Sequence, residues 1–282
     1  MDEQTIEEFW NTHPCGDASV GGLIGIEPEA YLDFFSTYDA HRYKTERHIP
    51  SCLDAIPLKG KQILEIGLGQ GADSEQLIRR GALWSGLDLT QEAVTRVTAR
   101  FALRNLDYQA IKKGSALSIP YETDSFDIVF SHGVLHHIPD VKAAQKEIAR
   151  VLKPAGELVV MLYSKWSLNY LLSIFLLRRL GLLALYATGS KVDGIYGQHT
   201  KNAREMKLMN YLKMRNFIHR NTDGPLNPYA KVYDLSSVRR DFPDFQIVKS
   251  YRRHMHAPPL PVGWLPFERL LGWHLWVHLK PR

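Results

Sequence analysis

Along residues 62 to 163, short apolar runs of strand character take turns with longer segments of helical period. Gln62–Gly67 is a short apolar strand ending in a glycine turn, and Ala72–Arg80 has helical spacing. Leu83–Asp88 (LWSGLD) reads as a second strand, followed by Gln91–Arg104, a helix rich in Ala, Val and Arg. Asp107–Lys112 is a weaker third strand. Phe126–Ser131 (FDIVFS) is a fourth, ahead of a helix around Val141–Leu152. Pro154 and Gly156 supply a turn before a strongly apolar fifth strand that ends near Tyr163. This succession predicts an α/β fold with a parallel sheet covered on both faces. Right-handed crossovers then gather the C-terminal ends of the strands on one edge, where ligands bind.

The pattern changes after Tyr163. Residues 164 to about 230 are helical and aromatic, interrupted by the turn-rich stretches KVDGIYGQHT and NTDGPLNPYA. Strand-like alternation resumes near Phe245–His254 and closes the chain with Gly272–Lys280 (GWHLWVHLK), a hairpin-like pair that puts Trp273, Leu275, Val277 and Leu279 on one face. The longest apolar run, Leu171–Ala187, is split by Arg178 and Arg179 into pieces shorter than the roughly 20 residues of a spanning helix. It reads as one or two helices that cover an apolar cavity or touch a membrane surface through 166–187, or as a plain core helix.

Composition changes this picture little. Hydrophobic residues make up 45% of the 282 and charged ones 23%, which is the balance of a folded domain. Cys15 and Cys52 make no disulfide framework, and no metal-type cluster stands out in the sequence, so a cytoplasmic setting and no metal are expected. The acidic start MDEQTIEEFW lacks the apolar core of a signal peptide. From Lys201 onward there are 15 Lys/Arg against 6 Asp/Glu, but they are scattered and accompany no nucleic-acid-binding motif. A small-molecule partner is expected and no nucleic acid; the oligomeric state is left open.

The candidate chemistry starts in ILEIGLGQGAD. Glycines stand at 67, 69 and 71, whereas the dinucleotide fingerprint needs offsets of two and five. No Lys-Ser/Thr pair follows to make a phosphate loop. Glu65, just before the first glycine, would repel a pyrophosphate and could meet an ammonium group. Asp88 ends the second strand, where a carboxylate accepts ribose hydroxyls; that is compatible with other nucleotides too, and the residue has an alternative use as a helix cap.

Taken in order, ILEIGLGQG, GLDLT, SALSIPYETDSFDIVFSHGVLHHIPD and RVLKPAGELVVMLY resemble the successive motifs of class I S-adenosylmethionine-dependent methyltransferases, in particular the branch acting on small molecules. The resemblance covers residues 61–163, about a third of the chain. It implies a Rossmann-like, seven-stranded, mostly parallel sheet. An N-terminal helical arm (1–60) precedes the cofactor core (61–163), a helical lid insertion (164–233) follows, and a last helix and strands (234–282) complete the sheet.

By resemblance, Glu65, Gly67, Gly69, Gly71 and Asp88 would hold the methionine and ribose portions of S-adenosylmethionine. Leu89, Ser115 and Ala116 would line the adenine pocket, with Ser115 alternatively capping a turn. Ser131 and His132 would approach the methionine end. The loop SHGV departs from the Asn-Pro-Pro-Tyr/Phe element of enzymes that methylate nucleobases or protein amides, which argues against those substrates.

Methyl transfer from a sulfonium asks the protein mainly to align the acceptor and exclude water, with a base needed when the acceptor arrives protonated. His136 and His137, after the fourth strand, are the candidate bases. In the arm, Arg42 would hold the cofactor carboxylate, and Tyr31, Tyr38 and Tyr43 would face the acceptor, unless they simply bury an aromatic helix face. From the insertion, Tyr196, His199, Asn227, Tyr229 and Tyr233 are candidates of the same kind. Surplus Tyr and His suit a medium-sized, partly apolar acceptor, most readily methylated at oxygen. Two alternatives share these motifs: an enzyme that moves or cyclises the aminocarboxypropyl arm of the same cofactor, and a non-catalytic module that only binds it.

Overall fold

A computed structural model describes residues 2–23, 30–190 and 192–282. The chain opens with α1 (Glu3–Thr12), α2 (Asp17–Val20), α3 (Tyr31–Thr45) and α4 (Ile49–Asp54). The sheet then begins: β1 (Gln62–Ile66), α5 (Ala72–Arg79), β2 (Leu83–Asp88), α6 (Gln91–Arg104), β3 (Ala110–Lys113), β4 (Phe126–His132), α7 (Val141–Val151) and β5 (Leu152–Tyr163). After the insertion come a helix at Leu235–Asp241, β6 (Phe245–Arg253) and β7 (His274–Pro281). The seven strands lie in the order β3-β2-β1-β4-β5-β7-β6. All pairings from β3 to β5 are parallel, and β7 is antiparallel to both its neighbours.

Strand alternation explains the two cores. On β1, Leu64 and Ile66 pack on one face and Ile63 on the other. The same parity runs through β5, with Leu158, Val160 and Leu162 on the first face and Val159 and Met161 on the second. Each face is sealed by helices, as a parallel sheet requires. Val141, Ala144, Ile148 and Val151 of α7 cover one face, at the i, i+3, i+7 spacing of an amphipathic helix. Val97 and Phe101 of α6 and Leu77 of α5 cover the other, each such burial contributing about 1.5–3 kcal/mol. Thr90 caps α6 by accepting from the Ala93 N–H at 3.2 Å, and Asn105 ends it in the left-handed region.

Three local expectations are corrected. The turn foreseen at Pro154 and Gly156 lies inside β5, with the register shift falling opposite Phe126–Ile128. Trp273 does not share a face with Leu275, Val277 and Leu279. It precedes β7 and packs into the small core of the insertion with Ile174, Tyr211 and Phe217.

The apolar run is not broken at its arginines either. Asn169–Thr188 forms one helix of 20 residues, α8, with π-type turns in its first half. Arginine is a good helix former, and both side chains find local partners. Arg178 donates to the Asn221 carbonyl at 2.7 Å, and Arg179 lies over the Phe175 ring. By length and composition α8 is apolar enough to cross a membrane, and only 17% of its most apolar window is buried.

Candidate active site

The strand order reverses between β1 and β4, and the crevice beyond their C-terminal ends holds a cavity of about 350 Å³. Its floor is Glu65–Gln70 after β1, Asp88–Thr90 after β2, Gly114, Ala116 and Leu117 after β3, and His132–Val134 after β4. The arm forms its roof with Glu3, Trp10, Cys15, Tyr38, Arg42 and Glu46. Polar ties hold that roof down. Arg96 of α6 pairs with Asp17 at 2.6 Å, Gln70 donates to the Cys15 carbonyl and to Asp17, and Lys113 pairs with Glu7.

The three glycines do different work. All have positive φ. A side chain on Gly67 would meet Val134 at 2.1 Å, so this position is empty to let the β4 loop pack. Gly69 is the open one, its nearest neighbour being Cys15 at 3.9 Å. Gly71 lies outside the cavity wall and starts α5.

Glu65 is buried, accepts from the Trp84 indole at 2.8 Å, and is pushed up to about 8 by desolvation. Asp88 is buried too; desolvation raises it despite hydrogen bonds from the Leu68 N–H at 2.7 Å and the Thr90 N–H at 2.8 Å. Arg42 lines the cavity but is already held two-pronged by Asp73, at 2.6 and 3.3 Å. Burial alone would raise Asp73; the Arg42 guanidinium and His132 outweigh it and hold the carboxyl well below its usual range. His132 donates from Nδ1 to Asp73 at 2.6 Å.

At the acceptor end the two adjacent histidines separate. His136 is fully buried against the Tyr163 ring, centroids 3.8 Å apart, and does not reach the cavity. Burial holds its pKa well below the usual histidine range. His137 does line the cavity. Its Nδ1 donates to the Tyr229 carbonyl at 2.7 Å, because a carbonyl can only accept. That leaves Nε2 as the basic nitrogen, 3.4 Å from Asp223 Oδ2. Asp223 is itself held by the Tyr163 hydroxyl at 2.7 Å.

Of the remaining sequence candidates, Leu89, Ala116 and Tyr38 line the cavity. The others are engaged elsewhere. Ser115 donates to Glu3 and accepts from the Leu117 N–H, which is the turn-capping alternative. Ser131 donates to the Ile66 carbonyl inside the sheet. Tyr31 packs in the arm with Phe35, and Tyr43 donates to the Ala72 carbonyl. Tyr196 is 60% exposed, and His199 bonds Tyr211 within the insertion. Asn227 braces the 222–229 loop, Tyr229 stacks on His219, and Tyr233 is buried in the main core. The sequence reading missed Tyr163, at the end of the last motif, and Trp10, Glu46, Asp223 and His274, which stand in the cavity wall outside the motifs.

Residues 64–160 match a family described as a methyltransferase domain. Over this stretch the chain is similar to the class I S-adenosylmethionine-dependent methyltransferases. Over 119 residues the chain is 35% identical to a ubiquinone biosynthesis O-methyltransferase of Idiomarina loihiensis, covering 42% of this chain and 48% of that protein. Over 103 residues it is 34% identical to a phthiotriol/phenolphthiotriol dimycocerosates methyltransferase of Mycobacterium tuberculosis, covering 36% and 37%. The chain therefore spans about half or less of the length of these relatives. A solved S-adenosylmethionine-dependent methyltransferase from Mesorhizobium loti shares the fold, with a TM-score of 0.54 at 17% identity over 82% of this chain and 96% of that one.

The methyltransferase domain fits its cofactor, S-adenosylmethionine. Gly69 leaves room against bare backbone, Glu65 is a buried carboxylate that a cation would ionise, and Asp88 ends β2 beside the cavity. Arg42, matched by Asp73, is less available to a carboxylate than its position in the arm suggests.

Proposed function

We propose that the chain methylates a small, partly apolar metabolite at an oxygen atom. Bound S-adenosylmethionine supplies an already activated methyl group, so the protein's share is positioning, dryness and one proton transfer. Glu65, Gly67, Gly69 and Asp88 would bind its polar portions, and Leu89 and Ala116 its base. The observation that carries the oxygen reading is the setting of His137. Its tautomer is set by the Tyr229 carbonyl, its Nε2 is basic, and Asp223 stands 3.4 Å away to stabilise the imidazolium formed when a hydroxyl gives up its proton. Trp10, Tyr38, Met161 and Tyr163 give the same space apolar walls. The arm roofs it over.

The test is mass spectrometry of the purified protein with S-adenosylmethionine and a metabolite extract. S-adenosylhomocysteine together with an acceptor one methylene heavier is the expected result. Methylthioadenosine in its place would mean that the amino-acid arm moves. Cofactor binding without either product would leave a binding module.

A further inference from the structure

Behind the acceptor end of the cavity, three ligand-type side chains converge from distant parts of the chain. Glu46 caps the C-terminal end of α3, His254 follows the last residue of β6, and His274 opens β7. The β6–β7 pairing brings the two histidines together: Arg253 pairs with His274, and the Trp273 N–H donates to the His254 carbonyl at 2.8 Å. One ligand atom from each of Glu46, His254 and His274 lies within 4.8 Å of the others. We propose that these three residues bind a divalent transition-metal ion of the zinc type, whose open coordination position faces the acceptor.

The donor set is the first support. Two imidazoles and one carboxylate are a common three-ligand set for catalytic zinc, with the fourth position left for water or substrate. Ligand atoms about 2.0–2.1 Å from a tetrahedral ion stand about 3.4 Å apart, so the three groups, within 4.8 Å of one another, need close in by at most about 1.4 Å. The second support is orientation. His274 engages His48 through Nδ1, 3.1 Å from His48 Nε2, which leaves Nε2 of His274 available for an ion. A partner on the second ring nitrogen is the usual way a ligating imidazole is fixed. His254 has no hydrogen bond to its ring among the described residues, while its backbone is held on both sides, by Trp273 and by Glu268.

Access is the third support. Glu46 and His274 both line the cavity, so an ion between them would be reached from it. His132 stands beside them, its ring 5.7 Å from that of His274, with Nε2 buried and unpartnered. A positive charge, Arg42, is 3.7 Å from Glu46 but is matched by Asp73. The Tyr163 ring lies 6.0 Å from His137 and 6.5 Å from His274, so base and metal would flank one acceptor. There the ion would hold a hydroxyl oxygen and ease its ionisation. That role rests on the methyl-transfer reading; the metal site itself does not.

The experiment therefore reads binding, without cofactor or acceptor. The full chain is stripped with a chelator, titrated with Zn²⁺ by calorimetry and with Co²⁺ by visible absorption. One equivalent of Zn²⁺ and a Co²⁺ spectrum of tetrahedral or five-coordinate type are expected. His274→Ala, Glu46→Gln and His254→Asn, the last chosen because Asn tolerates the positive φ of 69° at that position, should each weaken binding at least ~10-fold. His41→Ala, an exposed histidine on α3, should leave it unchanged. Glu46→Gln, the mildest change, serves if either histidine variant fails to fold. No stoichiometric binding by the parent chain, or equal affinity in all the variants, would overturn the site. Methyl transfer would be untouched by that result.

Discussion

The two halves of the cavity are built in opposite ways. On the cofactor side, most wall residues from Glu65 to His132 stand at or just after the end of a strand, with Ala72, Asp73 and Ala93 from the first turns of α5 and α6, within a stretch of about seventy residues. Backbone amides and glycine φ values do much of the shaping there. On the acceptor side the wall comes from α1, the end of α3, the loop after β4, the end of β5, the insertion and β7, and side chains do the shaping. A shared cofactor needs a reproducible backbone cradle, whereas an acceptor pocket is assembled from whichever side chains the surrounding layers deliver. The first kind of site is read from local motifs. The second appears only when the chain has folded.

The sharpest way to break this comparison is His137→Ala. Loss of the base should lower turnover ~10²–10⁴-fold while cofactor affinity stays within a few-fold, by rapid-quench assay and calorimetry. Turnover unchanged across pH would remove His137 from the acceptor side. Gly67→Ala should act on the other half, costing roughly 2–5 kcal/mol of stability through its positive φ and the contact with Val134. Gly69→Ala, with strain and no clash, should cost clearly less. Equal urea midpoints for the two would refute the division of labour among the glycines.

Asp88→Asn should weaken cofactor binding by about 1.5–3 kcal/mol and leave the metal titration unaltered. An unchanged affinity in a folded variant would sink its place at the ribose. The smallest effect sharpens the role of Glu65. Its folded pKa, about 8, lies above the ordinary value, so its contribution to stability is full below about 4.5 and is lost as pH rises through 8. Without cofactor, Glu65→Gln should gain on the parent chain across that window in urea titrations, and a parallel pair of curves would contradict the assignment. Half-buried histidines work in the opposite sense. Desolvation holds His256 and His199 down to about 4, so their contribution is present above 6.5 and lost on acidification through 4.

Much of the cofactor half was legible because each element carries its own signal. β2 and α6 begin and end where the alternation and the caps place them, and β1 and β4 differ by one residue at one end. β3, the weakest pattern, moved three residues at its start, as edge strands with few buried side chains do. The histidine pair shows the limit. In sequence His136 and His137 are equivalent; packing buries one against Tyr163 and turns the other toward Asp223.

The sequence by itself determined the order of strands and helices, the glycine turn, and the carboxylates that follow β1 and β2, since these depend on period and near neighbours. Only the tertiary structure decided that β7 runs antiparallel beside β5, and that choice brings His274 to His254 and to the end of α3. Glu46, Asp223 and His274 have no local pattern in common. They meet because sheet closure, an insertion and an N-terminal arm bury them in one space, and the hydrophobic layers that drive this closure leave no short-range trace in the residues it brings together.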